Sequence, residues 1–181
     1  MATLSIPADL DFPDVDKPYV ERIHGRDEPK VSPKRRHALL QYRLAAMLDA
    51  WASGRGEVGT EWRCYLIAGE DRPSSLVPDV AYYSFARLPR ELDDDERERP
   101  RIAPDVAVEI FSPGDRRKTL AQKIALYLAH GAALVVVVDP RARTVVLQDA
   151  TGSKLLDARG TIVASLPLGL ELDCDALFRG V

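Results

Sequence analysis

Cysteine is scarce: the 181 residues hold two, Cys64 and Cys174. They lack metal-ligand spacing, so neither a disulfide framework nor a cysteine-based metal cluster is expected. The N-terminus carries no signal-like apolar stretch, and the expected compartment is the reducing cytoplasm. Long apolar runs are missing as well; ALVVVV at 133–138 is far too short to cross a bilayer. Positive charge is not in excess, since 25 Lys and Arg face 28 Asp and Glu, for a net charge of −3. That excludes a protein that coats DNA through a global basic field, but a local basic patch is still compatible with it. Internal repeats and low-complexity tracts are absent.

What remains is an ordinary globular composition, 46% apolar and 29% charged, long enough for one domain with a respectable core. Residues 1–18 hold three prolines and several aspartates without a period, and read as an N-terminal arm. PYVERIHGR suggests a strand and a turn around Gly25. The segment 32–56 is the clearest helix, with Leu40, Leu44, Met47, Leu48 and Trp51 at helical spacing. Ser32 is its expected N-cap, Pro33 its first residue, and Gly54 and Gly56 its stop. EVGTEWRCYLIAG alternates like a strand, and SLVPDVAYYS is a second strand. Pro78 cannot donate to a ladder, so Pro78–Asp79 marks a start or distortion there. A charged loop or short helix follows, then the strand DVAVEIFS, a helix over about 113–130, and the strands ALVVVVDP and RTVVLQD. The apolar run at 134–138 fits a central strand covered on both faces. Residues 152–181 read as short strands and a closing helical turn, CDALFRG. The order of elements makes an α/β or α+β sheet domain.

Chemistry concentrates in the strand at 105–111. Side chains alternate faces, so Asp105, Ala107, Glu109 and Phe111 share one side and Val106, Val108 and Ile110 the other. Both sides are largely apolar, and a buried carboxylate is costly unless paired, hydrogen-bonded or bound to metal. Glu109 therefore needs a partner. Asp79 is one candidate: adjacent strands would bring both acids to one sheet end, where paired oxygens suit Mg²⁺. A lysine is the other. On a helical wheel Lys123 lies about 60° from Leu120, at the edge of the apolar stripe, whereas Lys118 lies about 160° away and faces solvent. Lys123 can lay its stem along the sheet and aim its ammonium at the carboxylates. Ser112, Pro113 and Asp115 make a plausible helix start whose free amides would lie near a bound phosphate.

VPDVAYY, then APDVAVEIFSPGDRRKTLAQKIALYLAHGA, then VVVVDP resemble the Uma-two family of restriction endonucleases, small bacterial members of the PD-(D/E)XK nuclease superfamily. The likeness extends upstream through YVERIHGR, SPKRRHALLQ and GEVGTEWR, and so covers roughly residues 19–148. It implies a restriction-endonuclease-like mixed β-sheet flanked by helices, formed as a single domain over 19–181. It also implies a metal-dependent endonuclease that hydrolyses phosphodiester bonds in DNA with Mg²⁺ or Mn²⁺. Carried over position by position, Asp79 matches the aspartate of the P-D element and Glu109 the acid of (D/E)XK. The superfamily lysine, two positions after that acid, is replaced here by Phe111; in similar proteins it has moved to the helix, which here gives Lys123. The resemblance places the metal on Asp79, Glu109 and the Ile110 carbonyl, with Glu61 a candidate for a further metal or water contact. Lys30, Lys34, Arg35, Arg36, His37, Arg116 and Arg117 are the candidates for nucleic-acid contacts. A homodimer is compatible with cutting both strands of a duplex. The alternative is a nuclease-fold protein that binds nucleic acid or a protein partner without cutting. A third reading, glycoside hydrolysis by the paired acids, lacks an aromatic-rich sugar cleft.

Overall fold

Two strands lie side by side at the centre of the large sheet, and they run parallel because a helix carries the chain from the end of one back to the start of the next. These are β7 (Val106–Ile110) and β8 (Leu134–Asp139), joined through α3 (Arg117–Ala129). The computed structural model describes residues 20–30, 33–66, 74–112, 116–157, 161–163 and 168–181. The N-terminal arm expected over residues 1–18 lies outside them, as do Ser32 and 113–115.

Around β7 and β8 the sheet is completed by antiparallel neighbours: β3 (Gly56–Thr60) and β6 (Val80–Ser84) on one side, β9 (Thr144–Asp149) and β10 (Gly152–Asp157) on the other. The order is β10-β9-β8-β7-β6-β3. A smaller antiparallel sheet has the order β2-β1-β5-β4, from β1 (Val20–Ile23), β2 (Arg26–Pro29), β4 (Cys64–Leu66) and β5 (Ser74–Leu76). The β1–β2 hairpin turns on His24 and Gly25, both at positive φ, the twist that a two-residue hairpin loop requires. β11 (Thr161–Val163) and β12 (Glu171–Asp173) pair separately.

Alternation along the strands divides the core in two. Val106, Val108 and Ile110 of β7, with Val80, Tyr82, Val136 and Val138, face α1 (Arg35–Ala52) through Leu40, Leu44 and Leu48. α4 (Cys174–Phe178) closes the same layer with Leu177 and Phe178. Ala107, Val135 and Val137 point the other way, against Leu126 and Tyr127 of α3 and against Ile23, Leu66 and Leu76 of the small sheet. Every residue of β7 is buried, as its two-sided apolar pattern predicts.

Several expected boundaries move. α1 begins at Arg35, not Pro33; Lys34 occupies the extended position before it and supplies no side-chain cap. α3 begins at Arg117 rather than near Pro113, again without a side-chain cap, so Ser112 does not start it. A cap is set by which residue holds extended backbone angles beside the first helical turn, and here those residues are Lys34 and Arg116. The alternation read through Glu57–Tyr65 spans two strands of different sheets, because Glu61 adopts φ 54° and turns the chain out of β3. SLVPDVAYYS likewise divides into β5 and β6, broken at Val77–Asp79 where Pro78 interrupts the ladder. The charged segment does contain a short helix, α2 (Asp94–Glu98), capped by Asp93.

Candidate active site

The crossing from β5 to β6 delivers Asp79 to the end of β7. β6 and β7 pair with Val80 opposite Val108 and Ala81 opposite Ala107; continued by one residue, that register sets Asp79 opposite Glu109. Alternation then puts both acids on the α3 side of the sheet. The Asp79 N–H donates to the Val108 carbonyl at 2.9 Å. Its carboxylate Oδ2 accepts from the Ile110 N–H at 2.7 Å and lies 3.2 Å from His37 Nε2. Lys30 Nζ stands 3.1 Å from Oδ1. Burial opposes ionisation of this 2% exposed residue, but the His37 contact, the Lys30 ammonium and the Ile110 amide outweigh it and hold the carboxyl at about 2.

Glu109 has a different set of partners. Lys123 donates to its Oε2 at 2.6 Å and the Tyr127 hydroxyl to its Oε1 at 2.8 Å. Lys123 and Tyr127 are four residues apart on α3, one turn of a helix, so both reach one carboxylate. Lys123 also contacts Glu21 of β1, at 2.9 Å to Oε1 and 3.0 Å to Oε2. Glu21 is fixed in turn by the Val77 N–H at 2.7 Å. Burial pushes Glu109 above the usual carboxylate range; Lys123 pulls against that shift, while Glu21 and Asp79 add to it. Burial alone would strip Lys123 of charge, but Glu109 and Glu21 reverse that and hold its ammonium above the ordinary lysine value. We take the ion pair as the ground state of this cluster, since one cation lies between two acids at hydrogen-bonding distance.

Glu21, Lys30, His37, Asp79, Glu109 and Lys123 line a cavity of about 240 Å³, with Glu28, Pro29, Ile110, Arg116, Thr119 and Leu120 completing its wall. It is smaller than the roughly 300–1,000 Å³ of pockets that enclose a whole small-molecule ligand. Of the residues singled out in the sequence as site candidates, Asp79, Glu109, Ile110, Lys123, Lys30, His37 and Arg116 line this cavity. His37 is buried against Asp79 rather than presented on the helix surface. Lys34, Arg35, Arg36 and Arg117 are exposed near the starts of α1 and α3, and Lys118 faces solvent as the wheel indicates. Glu61 is not in the wall; it lines a separate cavity with Glu57, Trp62 and Arg97, and its carboxylate lies 3.8 Å from Lys30.

The residues fit a hard divalent cation. Asp79 Oδ1 is buried and accepts no hydrogen bond; the Lys30 ammonium stands 3.1 Å from it as an ion pair. The acids that line the wall are all carboxylates, and among the described residues no three His, Cys, Asp or Glu side chains cluster closely enough to cage an ion. Mg²⁺ suits such a site, because it takes one or two carboxylates and keeps waters as its other ligands.

Three participants were not legible as such in the sequence. Glu21 shares the inward face of β1 with Ile23, and the rule that exposed Glu109, an acid on an apolar face, would have found it. Tyr127 lies in the helix segment that carries the family resemblance, four residues after Lys123, with no role assigned to it there; its hydroxyl reaches Glu109. Lys30, expected as a contact to nucleic-acid backbone, stands 3.1 Å from Asp79 Oδ1.

A mixed sheet flanked by helices, with an acid pair at the end of adjacent strands and a lysine over it, is the restriction-endonuclease-like arrangement. The chain belongs to the Uma2 family, described as "Putative restriction endonuclease", which it matches over residues 8–175. Among solved structures it is similar to a "putative nuclease belonging to DUF820" from Anabaena variabilis ATCC 29413, with 25% identity and a TM-score of 0.75 over 89% of this chain and 90% of that one. No curated protein matches the sequence. Among the described residues no helix is long and apolar enough to cross a membrane.

Proposed function

We propose that this protein is a divalent-metal-dependent endonuclease that hydrolyses phosphodiester bonds in DNA. The observation that carries the reading is the 2.6 Å contact of Lys123 with Glu109, on a sheet edge where the register sets Asp79 opposite Glu109. Asp79, Glu109 and the Ile110 carbonyl would hold Mg²⁺ or Mn²⁺. Such an ion, when bound, polarises the phosphate and lowers the pKa of an attacking water. Lys123 keeps its charge through Glu21 and Glu109, so it can orient that water or meet negative charge developing on the phosphate. Tyr127 fixes Glu109 and the Val77 N–H fixes Glu21, the two acceptors that hold Lys123. Because a ligating carboxylate must be ionised and burial holds Glu109 up, cation uptake strengthens as pH rises.

The surroundings suit a polyanion. α1 and α3 both start without an acid in their first turn, and both starts carry basic side chains: Lys34, Arg35 and Arg36 at one, Arg116, Arg117 and Lys118 at the other. Cations at the positive end of a helix dipole repel it unless an anion lies between. His37 of α1 and Arg116 and Thr119 at α3 line the cavity, so both starts border it.

The test is nicking of supercoiled and linear DNA with Mg²⁺ or Mn²⁺. Wild type is expected to cleave, and Asp79→Ala, Glu109→Ala and Lys123→Ala to lose at least about 100-fold in rate. Cleavage that survives Glu109→Ala would remove the proposed site. DNA binding without cleavage by the wild type would select the non-cutting alternative.

A further inference from the structure

Lys30 follows directly on β2 and reaches back over the crossing between the sheets. Its ammonium donates to the Val77 carbonyl at 2.9 Å and lies 3.1 Å from Asp79 Oδ1 and 3.8 Å from Glu61 Oε1 as ion pairs. The Val77 bond anchors it. The Asp79 oxygen, buried and free of hydrogen bonds, is the one that the proposed function gives to a metal. Two cations cannot both press on that oxygen without strong repulsion. Glu61 offers the second position: its side chain is 33% exposed against 3% for Asp79, so it lies on the solvent side of Lys30. Its left-handed backbone turns the chain out of β3 where Glu61 N–H approaches the Asp79 carbonyl at 3.4 Å, so the two acids flank the lysine from neighbouring segments. A flexible four-carbon stem lets the ammonium exchange between them without moving the backbone.

We propose that Lys30 is the built-in counter-cation of the metal site: it neutralises Asp79 Oδ1 in the metal-free protein, yields that oxygen to the divalent ion, and withdraws to Glu61. Lys30 is thus a positioning residue that spares the metal-free protein an uncompensated buried carboxylate. Glu61, in turn, receives the displaced lysine and does not ligate the metal. The inference rests on reading Asp79 as a metal ligand, and the experiment separates the two.

Mn²⁺ binding is measured by calorimetry or by the loss of free-ion EPR signal, without DNA. Lys30→Met is expected to bind Mn²⁺ at least about tenfold tighter than wild type. Arg116→Met, which removes a cation that lines the same cavity without touching Asp79, is expected to change affinity by no more than about twofold. Glu61→Gln is expected to weaken binding several-fold in the wild-type background and to do nothing once Lys30 is Met, the signature of direct coupling. Lys30→Gln serves equally if Lys30→Met does not fold. Equal gains from Lys30→Met and Arg116→Met would overturn the exchange, as would a Glu61→Gln effect that persists without Lys30. Failure of the underlying reading looks different: Asp79→Asn would then bind Mn²⁺ as tightly as wild type, or the wild type would not bind at all.

Discussion

The two faces of the six-stranded sheet are made by alternate residues of the same strands, yet they solve opposite problems. Toward α1 the packed layer is apolar from Leu40 and Leu44 to Val108, Ile110 and Val136, and the buried His37 meets Asp79 where α1 begins. Toward α3 the apolar packing of Ala107, Val135, Val137 and Tyr127 is interrupted by Glu109, Lys123 and Glu21, all nearly excluded from solvent. One face is free to maximise burial. The other carries charges whose desolvation must be offset by contacts at 2.6–3.0 Å. The comparison teaches that stability is concentrated on one side of the sheet and chemical readiness on the other.

Three experiments bear on that division. Lys123→Met leaves Glu21 and Glu109 facing each other without a cation, and chemical denaturation at neutral pH should show a loss of about 3–5 kcal/mol. It should cost stability and cleavage together. Leu44→Ala, on the apolar face and fully buried, should cost about 3 kcal/mol through its cavity. At temperatures where it stays folded, its Mn²⁺ affinity should match wild type within about twofold. A large change in affinity would mean that the faces are not separate. The smallest effect is acidic. Asp79 sits at about 2 in the folded chain against an ordinary 3.8, so its contribution is complete above pH 3.8 and is lost as pH falls toward 2. Urea midpoints across that window should show Asp79→Asn missing about 2 kcal/mol of the wild type's acid-linked loss.

The same division explains what could be read in the sequence. β7, β8 and β9 were legible because strand alternation and apolar runs are local signals, and Pro78 announced the break before β6. Asp79, Glu109 and Lys123 stood out because each violates or borders an apolar pattern. Glu21 did not, since its meeting with Lys123 spans 102 residues and depends on how the small sheet docks. His37 looked like a surface residue of a helix start and became buried only through Asp79, from another element. The helix starts were misplaced for a related reason: backbone angles at Lys34 and Arg116 decide them, and those are fixed by packing.

Val77 gives the site a mechanical consequence. Its N–H is held by Glu21 and its carbonyl by Lys30, the one side chain from the first strand of the β1–β2 hairpin and the other from just beyond the second. The hairpin therefore grips the inter-sheet crossing like a clasp with two prongs, one on each side of a single residue. Anything that tugs on either prong reaches the peptide that leads into Asp79, and the hairpin is thereby tied to the site's state of charge.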